Sequence, residues 1–340
     1  MTYLVTGGAG FIGSNIVESL LRMGEKVRVL DDFSTGKRDN LFFDVRHAVE
    51  VIEGDIRDIG TCRKAVRGID YVFHQAALAS VPKSVEDPLV AHNINGTGTL
   101  NLLVASRDAG AKRLVYASSS SIYGDEVGSD DKVDTVTPNS ENTKPNPLSP
   151  YAASKLTGEY YCGLFFRLYG FETISLRYFN VFGRRQDPAS EYAAVIPKFI
   201  QALLQDRPPV IYGDGKQTRD FTHIDDIVKA NLGACFAPGV ALGRAFNIAC
   251  GKRYSLLELL GELQALVGKR MEPTFEDARK GDVRHSMADI SMARTMLGFA
   301  PETSFRQGLE KTVGWYQKIW GIGGKVSGTN QSSSFPGRAL

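Results

Sequence analysis

The sequence predicts an α/β protein built on a doubly wound parallel sheet, because short apolar runs alternate with helix-like segments through its first half. The runs are rich in β-branched and aromatic residues and have the length of buried strands: 3–6, 27–30, 49–52, 71–73, 114–117 and 173–176. Helical patterns lie between them at 12–23, 58–66, 85–109 and 151–169. Since the first run leads directly into a glycine-rich turn, the arrangement is typical of a Rossmann-type domain.

The second half of the chain, after about residue 178, follows a different pattern. Helical segments cover about 190–206, 223–236, 255–267 and 303–319, and short strand candidates lie at 210–212 and 245–248. We interpret residues 179–320 as a smaller substrate-binding α/β region, interleaved with the domain of residues 1–178. The tail, 321–340, is rich in Gly and Ser, so we expect it to be flexible. The stretch 124–150 is too long for a simple connection, which favours a functional loop.

Composition and charge exclude several classes of protein. The 340 residues include 40 Lys and Arg against 38 Asp and Glu, and this net charge of +2 is too balanced to indicate a nucleic-acid partner. No apolar run approaches the roughly 20 residues that span a bilayer, and the first predicted strand leaves no room for a signal peptide. The four cysteines lack the spacing of a zinc site or a disulfide framework. We therefore expect no nucleic-acid partner, no membrane partner, no metal and a cytoplasmic location.

A glycine pattern between the first strand and the first helix indicates a dinucleotide site. The pattern consists of Gly7, Gly10 and Gly13. Small residues in this context let backbone N–H groups approach a pyrophosphate, whose charge the helix dipole favours. Asp31 ends the second strand, where a carboxylate accepts both ribose hydroxyls and repels a 2′-phosphate. NAD is therefore the predicted cofactor, although Lys37 and Arg38 leave NADP as an alternative.

A second pattern combines Tyr151, Lys155 and a run of serines. Tyr151 and Lys155 are four residues apart, so on a helix both side chains share a face. A phenol ordinarily ionises near pH 10, and a nearby ammonium or cationic nicotinamide favours the phenolate. The fifth predicted strand ends in four serines, 118–121, at the edge of the sheet where open α/β proteins bind ligands. The pattern is consistent with a poised base in a nicotinamide site.

On these motifs the chain resembles the extended short-chain dehydrogenase/reductase family, and within it the nucleotide-sugar 4-epimerases. The resemblance covers about residues 2–320. The segments that carry it are 6–13, 54–58, 74–77, 118–124, 151–155, 177–180, 213–217, 219–221 and 281–284.

The resemblance implies a role for each matching residue. Tyr151 would be the base, Lys155 would lower the pKa of Tyr151 and bind the nicotinamide ribose, and Ser119 would hydrogen-bond the sugar O4. Ser118 and Ser120 remain alternatives to Ser119. The implied cofactor-binding residues are Gly7, Gly10, Phe11, Ile12, Gly13, Asp31, Asp32, Ser34, Thr35, Gly36, Asp55, Ile56, Gln75, Ala76, Ala77, Asn93, Ser118, Tyr151, Lys155 and Phe179. The implied substrate-binding residues are Ser119, Ser120, Asn180, Val195, Tyr212, Arg219, Arg279, Asp282 and Ser286.

The implied reaction is reversible epimerisation at C4 of a UDP-hexose, through a 4-keto sugar made by NAD. Related 4,6-dehydratases carry Asp and Glu where this chain has Ser120 and Ser121, and UDP-glucuronate decarboxylases carry Glu at the second position. UDP-glucuronate 4-epimerases commonly carry Thr at the position of Asn180. Two further hypotheses remain open: a protein that binds NAD without turnover, and an ordinary alcohol dehydrogenase. Loss of Tyr151 or Lys155 would mark the first of these, and both residues are present.

Ser286 bears on the choice of sugar. Enzymes restricted to UDP-glucose and UDP-galactose tend to carry a bulky Tyr there and a Lys at the position of Ala79. A serine leaves space for a 2-acetamido group, so we expect interconversion of UDP-GlcNAc and UDP-GalNAc. The alternatives are UDP-glucose/UDP-galactose and UDP-glucuronate 4-epimerases, and Ser286 is also consistent with an ordinary loop serine.

The resemblance further implies a homodimer, in which two long helices pair with those of a second subunit. The predicted helices 85–109 and 151–169 are long for a domain of this size. Their spare apolar positions are Leu100, Leu103, Leu164 and Phe165, which core packing explains equally well.

Overall fold

A sheet of seven parallel strands forms the centre of the protein in its computed structural model, which describes residues 1–43, 49–124, 137–188, 194–278 and 283–322. The strands in these ranges are β1 (Thr2–Thr6), β2 (Lys26–Asp31), β3 (Glu50–Glu53), β4 (Tyr71–His74), β5 (Arg113–Ser119), β6 (Glu172–Tyr178), β7 (Val181–Phe182), β8 (Val210–Tyr212), β9 (Thr218–Arg219), β10 (Thr222–His223), β11 (Arg244–Ile248), β12 (Tyr254–Ser255) and β13 (Thr274–Glu276). The central sheet has the order β11-β6-β5-β4-β1-β2-β3, and all its neighbours are parallel. The predicted fold class is confirmed.

Helices connect and cover these strands. They are α1 (Phe11–Arg22), α2 (Ile59–Ala65), α3 (Val81–Glu86), α4 (Pro88–His92), α5 (Gly98–Asp108), α6 (Pro150–Tyr169), α7 (Val195–Leu204), α8 (Ile224–Cys235), α9 (Leu256–Val267), α10 (Ser291–Leu297) and α11 (Phe305–Trp320). Local signals set their ends. In α6, for example, the Ser149 hydroxyl accepts the Ala152 N–H, Pro150 opens the helix, and Gly170 closes it with φ +66°.

The two faces of the sheet are covered by different helices. Tyr3, Val5 and Val29 point to one face, where α1, α8 and α10 pack. Leu4 and Leu30 point to the other, where α2, α5 and α6 pack. Because side chains alternate along a strand and helices cover both faces, apolar residues occupy consecutive positions in the middle of these strands, such as Tyr3–Val5 and Val29–Leu30.

Residues after 178 contribute to two parts of the molecule. β11 extends the central sheet beside β6, and α8 packs against α1. A separate apolar cluster joins α7, α9 and α11 through residues such as Phe199, Leu259 and Leu309. The short helix α10 was not predicted from the sequence.

Residues 85–109 do not form the single helix that the sequence predicts. α3 ends at Glu86, and α4 begins at Pro88 and continues through a π-helical turn, Asn93–Thr97, into α5. Pro88 causes the break because it disfavours helical geometry at Asp87. The Asp87 carboxylate then caps α4 by accepting the Val90 N–H at 2.9 Å.

The apolar positions named for dimer contact are not equivalent. Leu103 and Phe165 are buried in the core of the monomer, and Leu100 is partly buried. Leu164 alone among the four is exposed.

Several predicted features lie outside the described residues. They are positions 125–136 of the long loop, Arg279, Asp282 and the tail from 323 onward. Within the described ranges, no helix combines the length and apolar character needed to cross a membrane.

Candidate functional site

The glycine-rich turn lies between the carboxyl end of β1 and the start of α1. Gly7 has φ +65°, and a Cβ there would lie 2.7 Å from the Ala76 nitrogen. A Cβ on Gly13 would lie 2.1 Å from the Gly7 carbonyl oxygen, so the turn and helix approach each other only without that atom. At Gly10 the nearest neighbour would be 3.2 Å away, and no side chain caps the start of α1 at Phe11. The turn therefore leaves open helix N–H groups that fit a pyrophosphate.

Asp31 joins this turn to the loop after β2. Its Oδ2 accepts the Ala9 N–H at 2.8 Å, and its Oδ1 accepts the Phe33 N–H at 2.9 Å. A Cβ on Gly36 would lie 2.8 Å from Oδ1, so this loop folds tightly over the carboxylate. Burial raises the pKa of Asp31, while the two N–H bonds act in the opposite direction. A carboxylate held in this place fits the hydroxyls of an adenosine ribose.

The residues predicted at the adenosine half of the cofactor occupy two neighbouring loops. Asp32, Ser34 and Thr35 are exposed after β2, and the Ser34 N–H donates to Asp32 Oδ1 at 2.9 Å. Asp55 follows β3, and the Arg57 guanidinium, donating to Oδ2 at 2.7 Å, lowers the pKa of the Asp55 carboxyl. The Ile56 side chain is buried.

A buried hydrogen-bond chain fixes the backbone at the end of β4, where Ala76 and Ala77 follow. The Ala76 N–H donates to Thr6 Oγ1 at 3.3 Å, and Thr6 Oγ1 lies 2.8 Å from His74 Nδ1. His74 Nε2 lies 2.9 Å from Thr99 Oγ1. Burial lowers the pKa of His74 to about 3, so this imidazole is neutral and bridges two hydroxyls.

Three other residues predicted to bind the cofactor differ in their surroundings. The Gln75 amide donates to the Tyr178 hydroxyl at 3.2 Å and to Asn231 Oδ1 at 3.1 Å. Asn93 is exposed at the start of the π-helical turn. The Phe179 side chain is fully buried in an apolar cluster, which leaves its backbone as the part available to a ligand.

Tyr151, Lys155 and Ser119 meet where β5 ends against the first turns of α6. The Lys155 ammonium donates to the Ala117 carbonyl at 2.8 Å and lies 5.9 Å from the centroid of the Tyr151 ring. The Ser119 side chain interacts with the Tyr151 phenol and acts to lower the pKa of that phenol. The helix is held in place because the Tyr151 N–H donates to Ser84 Oγ at 3.0 Å. The geometry brings the three predicted catalytic side chains together.

The ionisation of this pair is dominated by burial. Burial raises the pKa of the Tyr151 phenol, and the hydrogen bond from Ser119 opposes the shift without reversing it. Burial also lowers the pKa of Lys155 to about 7. The net shift of Tyr151 is thus opposite to that expected from a neighbouring ammonium alone, because two buried groups both favour their neutral forms.

The serines of the run point to different partners. The buried Ser118 hydroxyl donates to Glu159 on α6, so its side chain belongs to an internal network. Ser119 accepts the Ser121 N–H at 3.2 Å and contacts Tyr151. Ser120 opens a 3-10 turn, Ser120–Tyr123. Among the three, Ser119 is the one that acts on the pKa of the Tyr151 phenol.

A cavity of about 240 Å³ lies between β7, α7, β8 and β9. It is lined by four predicted substrate residues: Asn180, Val195, Tyr212 and Arg219. Asn180 adopts φ +30°, an unusual value for a residue other than glycine, and its amide donates to the Asp220 carbonyl at 3.2 Å. The mixture of aromatic, amide and guanidinium groups fits a nucleotide diphosphate.

Residues 284–289, here called the wall segment, lead from β9 beside this cavity to the turn that follows β5. Because β5 ends in Ser119, it is here called the catalytic strand. Near the cavity the Ser286 N–H donates to the Thr218 carbonyl at 3.1 Å. At the far end the Asn139 N–H donates to the Met287 carbonyl at 2.8 Å, and the Asp289 N–H donates to the Asn139 carbonyl at 2.9 Å. Ser286 is buried at 9% exposure in the middle of this connection.

The sequence interpretation missed two polar residues of the cavity, Lys198 and Gln217. Lys198 lies one turn into α7, three residues after Val195, and helical spacing from Val195 was the available signal. In the described ranges no cluster of His, Cys, Asp and Glu is suited to a metal ion.

The fold and the site define a class: an α/β protein that binds a dinucleotide at its glycine turn and holds a Ser-Tyr-Lys group beside it. The family model for the NAD dependent epimerase/dehydratase family matches residues 3–249. The chain belongs to this family, and NAD is its cofactor.

Three relatives show the range of proteins that this chain resembles. The UDP-glucose 4-epimerase of Mycolicibacterium smegmatis is 39% identical, over 93% of this chain and 99% of its own. The UDP-glucuronate 4-epimerase of Thermodesulfobacterium geofontis is 36% identical, over 92% and 95%. A solved structure of UDP-N-acetylglucosamine 4-epimerase from Methanobrevibacter ruminantium, in complex with UDP-N-acetylmuramic acid, superposes with a TM-score of 0.86. It is 39% identical, covering 94% of this chain and 98% of that one.

Proposed function

We propose that this protein is a UDP-sugar 4-epimerase whose preferred substrates are UDP-GlcNAc and UDP-GalNAc. The observation that carries the proposal is that three features follow the carboxyl edge of the same parallel sheet. They are the glycine turn with Asp31, the Ser119–Tyr151–Lys155 group, and the cavity of Asn180 and Arg219. Relatives named as 4-epimerases of three different UDP-sugars support the reaction class and leave the sugar open.

Different residues of the chain bind the nucleotide, transfer the proton and stabilise charge in the proposed reaction. The Arg219 cavity holds the nucleotide half, so binding energy remote from the sugar orients C4. Tyr151 takes the proton from O4 as the C4–O bond becomes a carbonyl, and returns it when the carbonyl is reduced. Ser119 hydrogen-bonds the same oxygen. The phenolate forms when the Lys155 ammonium and the positive charge of bound NAD together offset the burial that favours the neutral phenol. NAD, which the glycine turn and Asp31 would hold, would supply the hydride acceptor and donor for C4.

Ser286 carries the proposal for the acetamido sugar. It is small, and its backbone is fixed on both sides of the wall segment. A serine there leaves room for a C2 acetamido group, which a bulky aromatic would fill. UDP-glucose lacks this group and fits the same space, so it remains a weaker substrate in the proposal.

Proton NMR of the purified protein with UDP-GlcNAc, without added NAD, tests the proposal. Appearance of the UDP-GalNAc anomeric signal is the expected result, since NAD is regenerated in each cycle and is expected to stay bound. Turnover of UDP-glucose or UDP-glucuronate alone would contradict the acetamido preference. No turnover of any of these sugars, even with NAD added, would contradict the epimerase itself.

The variant Ser286→Tyr tests the specificity residue. We expect kcat/KM for UDP-GlcNAc to fall by about tenfold or more through steric exclusion, with that for UDP-glucose largely retained. Ser291→Tyr, at the start of α10, is a control for the added aromatic ring. Equal loss of both substrates in Ser286→Tyr would contradict the steric argument.

We also propose that the protein forms a homodimer through α6. Tyr160, Leu164 and Leu168 are exposed at helical spacing along one face of this helix, at 60%, 37% and 67%. Leu89 of α4, which packs against α6, is 75% exposed. A second copy of the same face would cover these side chains.

A further inference from the structure

A buried polar relay connects the catalytic strand to the wall segment. The relay consists of Glu159, Arg177, Tyr123 and Asn247. Arg177 donates to both oxygens of Glu159, with Nε–Oε1 at 2.9 Å and Nη2–Oε2 at 2.8 Å. Its Nη1 donates to the Tyr123 hydroxyl at 2.7 Å, and that hydroxyl donates to Asn247 Oδ1 at 2.7 Å. The four side chains therefore form one continuous set of hydrogen bonds from α6 to β11.

One end of the relay is attached to the catalytic group. Glu159 lies one turn after Lys155 on α6 and accepts the hydroxyl of Ser118, the neighbour of Ser119. Lys155 itself holds the carbonyl of Ala117. Consecutive residues at the end of β5 are thus fixed to one face of the helix, which sets where the Ser119 hydroxyl lies relative to Tyr151.

The other end of the relay is attached to the wall segment. The Asn247 amide nitrogen donates to the Asn139 carbonyl at 2.8 Å and to the Asp289 carbonyl at 3.1 Å. Asn139 in turn pairs with Met287 and Asp289. The Asn247 backbone N–H also donates to Glu141 at 2.8 Å. Asn247 therefore joins Tyr123 to the backbone within three residues of Ser286.

The relay is buried along its whole length. The side chains of Arg177 and Glu159 are 7% and 6% exposed, and Tyr123 and Asn247 are also buried. A buried ion pair contributes little net stability compared with apolar packing, because both charges are desolvated. What such a network fixes is geometry, since each member has only one arrangement that satisfies its partners.

We infer that Tyr123 and Asn247 are positioning residues that fix the distance between the wall segment and Ser119, and so set discrimination at the sugar C2. This inference rests on the proposed function. When the relay is cut, the wall segment keeps its hydrogen bonds to Thr218 and Asn139. Its position relative to the catalytic strand is then no longer fixed by the hydrogen bonds through Tyr123 and Asn247. The acetamido group at C2 would reach the wall segment, whereas a C2 hydroxyl is smaller. Cutting the relay should therefore lower kcat/KM for UDP-GlcNAc more than kcat/KM for UDP-glucose.

The test compares Tyr123→Phe and Asn247→Asp with the wild type. The first removes the hydroxyl between Arg177 and Asn247. The second keeps the Oδ1 acceptor and removes the amide donors to Asn139 and Asp289. Tyr316→Phe is the matched control, because Tyr316 is another buried tyrosine, and its hydroxyl donates to the Gln186 carbonyl far from the relay. The measurements are kcat/KM for UDP-GlcNAc and UDP-glucose, UDP affinity by calorimetry, and melting temperature.

We expect kcat/KM for UDP-GlcNAc, divided by kcat/KM for UDP-glucose, to fall about fivefold in both relay variants. A fall of this size corresponds to the loss of one hydrogen bond. UDP affinity should stay unchanged, because the nucleotide cavity is outside the relay. The Tyr316→Phe ratio should equal that of the wild type. An unchanged ratio in both relay variants, or an equal change in the control, would show a merely structural role and overturn the inference.

The proposed function and the relay can fail separately. A wild type active on UDP-glucose but not on UDP-GlcNAc would overturn the proposed substrate. The test of the relay would then be the amount of reduced nicotinamide that stays bound to the enzyme after turnover of UDP-glucose. This amount should be higher in both relay variants than in the wild type. An unchanged amount would overturn the role of the relay. A wild type inactive on both sugars would overturn the proposed substrates and, with them, the relay, whereas the epimerase itself fails only if UDP-glucuronate is also unchanged.

Discussion

At the scale of single residues, the two ionisable groups of the catalytic centre are governed by the apolar volume around them. Both Tyr151 and Lys155 favour their neutral forms in the chain alone. The sequence indicated that the two side chains lie on one helix face. Their desolvation depends on how β5 and α6 pack, and the spacing of two residues in the sequence carries no information about that packing. The same reason explains Ser118: the sequence predicted a serine near the site, and only tertiary packing directs Ser118 to Glu159.

Removing the Tyr151 hydroxyl tests the assigned base. Tyr151→Phe should lower kcat by at least about 100-fold, since positioned proton transfer contributes roughly that factor or more. NAD content, read from the absorbance of the purified protein, should be retained. Tyr160→Phe on the exposed side of the same helix is the matched control and should keep full activity. Normal turnover in Tyr151→Phe would assign the base elsewhere.

The lowered pKa of Lys155 makes stability depend on pH. In the folded chain Lys155 releases its proton near pH 7, whereas its ordinary pKa is 10.5. Between these values the unfolded chain binds one more proton from this group, so its contribution to stability increases as pH rises from 7 toward 10.5. Below pH 7 both states are protonated and the contribution is constant at its lowest value.

Melting temperatures of the cofactor-free chain and of Lys155→Met, measured from pH 6 to pH 10, test this dependence. The wild type should gain stability relative to the variant above pH 7. Lys318→Met, a change at an exposed lysine of α11, should follow the wild type at every pH. Parallel curves for the wild type and Lys155→Met would refute the lowered pKa.

At the scale of elements, the ends of strands and helices were predicted well where a local signal exists. α1, α2 and α6 begin and end within one residue of the predicted boundaries. The break at Pro88 was missed because the apolar pattern continues across it, although the proline itself was a sufficient signal. α10 was missed because its seven residues are too few for a clear period.

The glycine turn supports a prediction about an element. Gly13→Ala should abolish NAD binding and destabilise the protein, because its Cβ would lie 2.1 Å from the Gly7 oxygen. Gly261→Ala is the matched control, since Gly261 lies within α9 with no neighbour within 4 Å of a new Cβ. That change should raise stability by about 0.5–1 kcal/mol through helix propensity. Calorimetric unfolding and NAD titration measure both effects, and NAD binding by Gly13→Ala would disprove the steric requirement.

At the scale of the whole molecule, the sequence predicted the layers of helices and sheet. It did not predict which surface covers the apolar face of each helix. Periodicity identifies an apolar face but does not say whether the monomer or a second copy covers it. Phe165 and Leu164 are adjacent in sequence, yet one is buried in the core and the other is exposed.

Introducing charge on the exposed face of α6 tests the proposed dimer. The double variant Leu164→Glu, Leu168→Glu should run as a monomer in light scattering at micromolar concentration, because an apolar interface does not accommodate four carboxylates. Val240→Glu, at a position that is 55% exposed outside α6, should remain a dimer. A monomeric wild type, or a dimeric double variant, would contradict the proposed interface.

The pairing of β6 with β11 has a consequence for how the chain is made. Through five residue pairs, from Ile174 with Arg244 to Tyr178 with Ile248, the final third of the chain supplies the last strand of the central sheet. During translation, therefore, six strands can associate while one side of β6 still offers unpaired N–H and C=O groups. Open edges of this kind promote aggregation. We therefore expect chains that stop short of residue 244 to aggregate more readily than chains that include β11.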